Sequence, residues 1–212
     1  MMTNDSMPGS AKERPRAELS QYFLRTPRLG FRWWQGTDLH LARSLWGDPD
    51  VTRLIGGPFT PGQVRARLEQ EIAGATANGI QYWPIFLLSN DDLAGCCGLR
   101  PYRPAERVFE LGFHLRKAHW GNGYAREAAQ AVMEHAFSSL GAKTLFAGHH
   151  PENDTSKRLL ELLGFRYVRD EHYAPTGLMH SSYLLTQGDF VEFQGKQGVP
   201  QAFSARDTQS QD

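Results

Sequence analysis

The run Trp120-Gly121-Asn122-Gly123-Tyr124-Ala125-Arg126-Glu127-Ala128 constrains this chain more than any other stretch. Before it, residues 108–115 alternate in strand fashion: Phe109, Leu111, Phe113 and Leu115 take one face, and Glu110, Gly112 and His114 the other. After it, Ala125, Ala129, Val132, Met133, Ala136, Phe137 and Leu140 form the apolar stripe of a helix that starts at Gly123 or Tyr124 and ends before Gly141. A strand thus enters a glycine turn that opens a long helix. Glycines adopt positive φ and admit close backbone approach. The unbonded amides of a helix start converge on one place, which suits an anion such as a pyrophosphate. The glycines alone fit a structural turn equally well, since Asn-Gly is a common hairpin pair. No Gly-Lys-[Ser/Thr] follows, so this is not a P-loop, and Arg126 stands where a dinucleotide fingerprint needs its third glycine.

The remaining pattern sets the architecture. Leu29, Phe31 and Trp33 alternate as a strand, and Thr37 or Asp38 can cap a helix reaching about Trp46. Residues 61–78 read as a second helix with Val64, Leu68 and Ile72 at four-residue spacing and Gly79 at its end. Residues 82–88 and 93–99, joined by Asn90-Asp91-Asp92, form an antiparallel hairpin. Further strands are expected at 143–147, 165–170 and 181–186, and a helix from Asn153 or Asp154 to Leu163 closes on Gly164. The expected class is α+β: a central mixed, mostly antiparallel sheet of about six to seven strands flanked by about four helices. Residues 1–20 and 194–212 are polar and read as flexible tails around one domain spanning 21–193.

Composition excludes several functions. Lys+Arg and Asp+Glu both number 23, so a broad basic surface for nucleic acid is not expected. No apolar run approaches the ~20 residues that span a bilayer, and no signal core opens the chain, so the expected partners include no membrane and the expected address is the cytoplasm. Cys96 and Cys97 are sequence neighbours, which on a strand point to opposite faces and disfavour a disulfide. No Cys/His spacing suggests a metal.

Across residues 24–188 the chain resembles the GNAT superfamily of N-acetyltransferases, in the branch that includes bacterial acetyltransferases of ribosomal-protein N-termini. The resemblance rests on ordered motifs: Leu24-Arg25-Thr26-Pro27-Arg28-Leu29, Ala94-Gly95-Cys96-Cys97-Gly98-Leu99, Glu110-Leu111-Gly112-Phe113-His114-Leu115, His119-Trp120-Gly121-Asn122-Gly123-Tyr124-Ala125, Pro151-Glu152-Asn153-Asp154-Thr155-Ser156 and Leu163-Gly164-Phe165. It implies the GNAT fold, acetyl-CoA as cosubstrate with no metal, and transfer to a primary amine. Trp120 replaces the Gln/Arg of the superfamily's usual phosphate motif, with Gly123 and Ala125 at its later small positions. By this likeness the backbone of Gly121, Asn122, Gly123, Tyr124, Ala125 and Arg126 holds the pyrophosphate, and the backbone of Phe113, His114 and Leu115 pairs with the pantetheine arm.

Acetyl transfer to an amine needs a base, a polarised thioester carbonyl and a proton for the departing thiolate. Glu110 is the candidate base, directly or through a water; a salt-bridged strand carboxylate is the alternative. The tyrosine by which many relatives protonate the thiolate is replaced by Leu160, so the role is vacant or falls to Ser156, which otherwise reads as a helix-start hydroxyl. Asn153 either caps its helix or contacts the pantetheine amides. His114 shares Glu110's face and can shape the acceptor pocket, His149-His150 reads as a surface or strand-end pair that could also face the cleft, and Trp33, Trp34, Trp46, Trp83 and Trp120 read as core or cleft lining, with Tyr82 and Trp83 the candidates for the acceptor cleft. The acceptor is a protein N-terminus or a small amine, and the resemblance is compatible with a homodimer. A non-catalytic acyl-CoA-binding protein on the same scaffold is the alternative function, and a generic nucleotide-binding protein a third.

Overall fold

The computed structural model describes residues 21–197. Strands β1 (Leu24–Arg25) and β2 (Leu29–Phe31) lead to helices α1 (Leu39–Trp46), α2 (Pro49–Thr52) and α3 (Pro61–Asn78). Three strands follow, β3 (Tyr82–Leu87), β4 (Leu93–Arg103) and β5 (Val108–Leu115), then α4 (Tyr124–Ser138). The chain continues through β6 (Thr144–His149), α5 (Asp154–Leu162), β7 (Arg166–Tyr173), β8 (Leu178–Thr186) and α6 (Gln187–Gln197). The strands form one sheet in the order β1-β2-β3-β4-β5-β6-β8-β7. All neighbours are antiparallel except β5 and β6, which are parallel.

The sheet buries a core on each face. On one side Leu111, Ala129, Val132, Met133, Leu145, Leu160 and Leu185 pack together, drawing in α4 and α5. On the other, Trp34, Leu45, Trp46, Val64, Leu68, Tyr82 and Cys96 bring α1 and α3 onto the sheet. Cys96 and Cys97 fall in opposite cores, as strand alternation requires, and both are free. Burial pushes the Cys96 thiol up to about 12 and that of Cys97 well above its ordinary value, so both stay protonated and inert.

Local chemistry sets the helix ends. Thr60 accepts from the Gln63 N–H at 3.3 Å while the Gln63 side chain accepts from the Thr60 N–H at 2.8 Å. Pro61 opens α3, and Gly79 closes it at φ 68°. Asp38 precedes α1 but does not cap it: its carboxylate takes the Arg32 guanidinium at 2.7 and 2.9 Å and the Gln35 N–H at 2.8 Å.

The sheet has eight strands, the addition to the expected set being the two-residue β1. Two helices were not expected. The single turn α2 is capped by Asp48, whose side chain accepts from the Asp50 N–H at 2.9 Å. Helix α6 carries Gly188 and Gly195, which weaken its helical signal, yet it is anchored by Phe190 stacked 4.9 Å from Phe137. Thr186 and Asp189 cap its start through bonds of 2.6 and 3.1 Å. It runs to Gln197, into the stretch from 194 read as tail; the rest of that stretch and residues 1–20 lie outside the described residues. No described helix is long and apolar enough to cross a membrane.

Leu160 is 1% exposed inside the α4–α5 core. Leu160→Ala is expected to lower unfolding free energy by about 2–5 kcal/mol. Denaturant titration measures it; a loss below about 1 kcal/mol would show that this core collapses around the void.

Candidate active site

Strands β5 and β6 pair only over Val108↔Thr144, Phe109↔Leu145 and Glu110↔Phe146. Beyond that point each strand keeps its other neighbour: β5 stays on β4 as far as Gly95↔Leu115, and β6 stays on β8 as far as His149↔Ser181. The two strands therefore part in the middle of the sheet. Residues 111–115 and 147–149 face each other across the opening with backbone edges that have no strand partner between them. Unpaired backbone edges are templates for a guest with amide groups. At the far end the Leu115 carbonyl is already taken, accepting from Trp120 Nε1 at 2.9 Å.

The glycine turn stands at the end of β5. Gly121 and Gly123 both sit at φ 77°, where an L side chain is strained. A Cβ on Gly121 would meet nothing within 4 Å, so the left-handed backbone, not crowding, selects glycine there. The first intrahelical bond of α4 runs from the Glu127 N–H to the Gly123 carbonyl at 3.1 Å, so the N–H groups of Tyr124 and Ala125 precede it. No side chain caps this end. The open amides and the helix dipole give it the chemistry that suits an anion.

A clamp absent from the sequence reading fixes the turn. Glu127 accepts from the Thr26 hydroxyl at 2.5 Å, the Arg28 N–H at 3.0 Å and Arg28 Nε at 2.6 Å. Arg28 also donates to the Asn122 carbonyl at 3.0 Å and lies over the Tyr124 ring at 4.6 Å. The Thr26-Pro27-Arg28 turn between β1 and β2 is thereby bolted to the head of α4. The second brace is Asp92, which holds Arg116 and His119 at 2.9 Å each, on either side of the Lys117–His119 turn.

Glu110 lies where the strands begin to part, on the face packed by α1 and α3. Its carboxylate accepts from the Tyr82 hydroxyl at 3.1 Å. Gly112 permits this contact, because a Cβ there would come within 2.1 Å of the Tyr82 oxygen. Burial raises the Glu110 carboxyl above its ordinary range, against the opposing pull of Arg100 and the Tyr82 hydrogen bond. Glu71, 2% exposed, binds the Arg100 guanidinium and accepts from the Tyr82 N–H at 2.8 Å. Arg100 also lies over the Tyr82 ring at 4.4 Å. His114 receives the Trp46 indole N–H on Nδ1 at 3.4 Å, beside Cys96 Sγ at 3.5 Å. Burial, with Arg67 and Arg100 nearby, holds His114 well below the usual imidazole range, so it is neutral and offers no positive charge.

The remaining candidates are placed as follows. Asn153 caps α5, its Oδ1 accepting from the Ser156 N–H at 3.0 Å, which leaves the side-chain NH2 for a second partner. Ser156 sits in the first turn of α5, directly after the loop that leaves β6. His149 and His150 are buried: His149 contacts the His150 carbonyl at 2.8 Å and the Tyr183 hydroxyl at 3.3 Å, and His150 Nδ1 accepts from the Glu152 N–H at 3.1 Å. Of the two proposed cleft-lining aromatics only Tyr82 reaches Glu110; Trp83 points into the opposite core, against Phe23 and His135. Glu71, Arg67 and Arg100 were not singled out from sequence. The signal existed for the first: Glu71 falls seven residues after Val64 and three after Leu68, on the buried stripe of α3. No group of three metal-ligating side chains occurs among the described residues.

Known proteins share this fold. The family described as "Acetyltransferase (GNAT) domain" matches residues 28–166. The uncharacterized N-acetyltransferase p20 of Bacillus licheniformis is 31% identical over 145 residues, covering 68% of this chain and 82% of that protein. Among solved structures, a GNAT-family acetyltransferase from Bacillus anthracis superposes with a TM-score of 0.67 at 23% identity, over 78% of this chain and 98% of that one. RimL, a ribosomal α-N-protein acetyltransferase solved in complex with coenzyme A, gives 0.65 at 15% identity, over 76% and 95% of the two chains. With its family match over most of the folded region and the parted sheet beside an open helix head, this chain belongs to the GNAT acetyltransferase family and is an acyltransferase.

Proposed function

We propose that this enzyme transfers the acetyl group of acetyl-CoA to a primary amine by direct attack on the thioester, with Glu110 as the base. The parting of β5 from β6 next to the uncapped head of α4 carries the reading. An open amide row and an anion site in line suit a ligand that is amide-bearing at one end and a diphosphate at the other. Acetyl-CoA supplies the activated acyl group. The N–H groups of the turn from Gly121 to Ala125, with Arg126 at its end, bind the diphosphate, and the edge formed by Phe113 and His114 binds the pantetheine amides, helped by the Asn153 side chain. The amine approaches from the face of α1 and α3, where Glu110 and the Tyr82 hydroxyl lie together. Glu110 takes the amine's proton, and its raised pKa makes it a better base than an ordinary carboxylate. Ser156 donates a proton toward the departing sulfur.

The replacement of the usual tyrosine by buried Leu160 favours one competing reading, a non-catalytic acyl-CoA sensor. Incubation with acetyl-CoA and a panel of amines and peptides separates the two. Amine-dependent thiol release with acetylated product by mass supports the enzyme; tight CoA binding without such release across the panel supports the sensor.

Two variants probe the site. Gly123→Val places a β-branched residue at φ 77°, a strain of about 1–3 kcal/mol that the turn escapes by rearranging its amides. CoA affinity is expected to fall about tenfold or more, read by calorimetry; unchanged affinity would remove the turn from the binding site. Glu110→Gln is expected to lower kcat by about 10²–10⁴-fold with CoA affinity retained.

The pH dependence has a defined sign. Because the Glu110 carboxyl is raised, its basic form appears only above the ordinary glutamate range, so kcat/KM should climb with pH through that elevated value. The same shift means that folding favours the protonated group, so its stability contribution is present at low pH and lost as pH rises through the folded-state value. A pH–rate profile whose acidic limb persists in Glu110→Gln would assign the limb to another group.

A further inference from the structure

The acceptor face holds a second arginine that forms no ion pair among the described residues. Arg67, on α3, lies over the Trp46 ring at 4.9 Å and 6.0 Å from the Phe59 ring centroid. Its Nε is buried without a hydrogen-bond partner, and no carboxylate lies within ion-pair reach of it among the described residues. Arg100 differs, because its guanidinium is committed to Glu71. Contacts link Arg67 to the candidate base step by step. Trp46 beneath it bonds His114 at 3.4 Å, the His114 ring lies 5.8 Å from the Tyr82 ring, and Tyr82 bonds Glu110 at 3.1 Å. The Arg67 charge is also felt at Glu110, Tyr82, Cys96, His114 and Tyr173, which belong to β3, β4, β5 and β7.

From this arrangement we infer that Arg67 binds a carboxylate on the acceptor, so that the preferred substrates are amines that also carry a carboxylate. The inference rests on the amine-acetyltransferase reading above. Glu110 and Arg67 give the acceptor face a negative and a positive pole, which match the ammonium and carboxylate of one substrate. The aromatic stacking fixes the plane of the guanidinium, and a planar fork with unmet N–H donors recognises a carboxylate bidentately. One guanidinium without an ion-pair partner matches one negative charge. A phosphate dianion would exceed it and repel Glu110. Leaving a stacked, partly buried guanidinium without an acceptor costs desolvation energy, which a bound carboxylate returns.

Matched acceptor pairs test the assignment, with acetyl-CoA saturating and thiol release and product mass as readouts. One arm uses free amino acids against their neutral counterparts: glutamate with glutamine, aspartate with asparagine, glycine with glycinamide. The other uses short peptides with an acidic or an amide residue next to the amino terminus. The carboxylate member should be favoured about tenfold or more in kcat/KM in at least one arm, the arm identifying a free or a peptide substrate. Arg67→Met, which keeps the apolar stem over Trp46, should erase that preference by raising the amine KM while kcat and the acetyl-CoA KM stay within about threefold. Arg67→Lys should retain part of it. Acetylation without discrimination, or discrimination that survives Arg67→Met, overturns the carboxylate assignment while leaving the acetyltransferase reading intact. Acetylation of no amine by a folded, CoA-binding protein overturns both.

Discussion

The early end of pairing between β5 and β6 is the constraint from which the rest of this structure follows. A sheet normally satisfies every interior backbone group through its neighbours, and an orphaned group away from water costs free energy. Here two central strands keep their outer partners and give up each other after Glu110↔Phe146. That sacrifice is tolerable only where water or a ligand meets the exposed groups. It also places the start of α4 beside the opening, because β5 must leave the sheet near its own end to turn back across it. The glycines at φ 77° make that reversal without backbone strain, and the uncapped helix head then lies in line with the amide row.

Rigidity around the opening comes from polar ties rather than apolar packing. Glu127 gathers three donors from Thr26 and Arg28, so the edge hairpin and the helix head move as one body. On the opposite face Glu71 joins α3 to β3 and β4 through Tyr82 and Arg100. An ion pair of this kind adds little net stability against an apolar replacement. Its effect is positional. It holds the Tyr82 ring where the hydroxyl reaches over Gly112 to Glu110, which fixes the orientation of that carboxylate.

Much of this was readable in the chain. The strand–glycine–helix junction around residues 120–128, the hairpin of β3 and β4, and the opposite faces of Cys96 and Cys97 follow from periodicity and turn chemistry alone. The two-residue β1 was beyond such reading, since so short a segment has no period. Helix α6 was hidden by its two glycines, although Thr186 and Asp189 mark its start. Trp83 could not be assigned to core or cleft, because a strand buried on both faces shows no alternation by which to choose sides, as the uniformly buried β3 illustrates. The groups around Glu110, namely Arg100, Tyr82 and Glu71, lie from 10 to 39 residues away in sequence. No local pattern carries such contacts; only the register of β3, β4 and β5 brings them together.

Net charge was the least informative quantity, for a reason visible in the pairing. The balance of 23 basic and 23 acidic residues excluded a broad cationic surface, yet it says nothing about local poles. Arg28 is tied to Glu127, Arg32 to Asp38, Arg100 to Glu71 and Arg116 to Asp92, so these cations are cancelled where they stand. What a ligand meets is the remainder after such cancellation. At the turn the remainder is backbone N–H dipole, which suits a polyanion of any identity. At the acceptor face it is Glu110 on one side and the stacked Arg67 on the other, in a region already largely desolvated by Trp46 and Tyr82. Low local dielectric strengthens both poles. On the proposed reading, selectivity for the acceptor rests on two side chains that form no ion pair among the described residues, while the cosubstrate is held by backbone geometry that tolerates changes in side-chain identity.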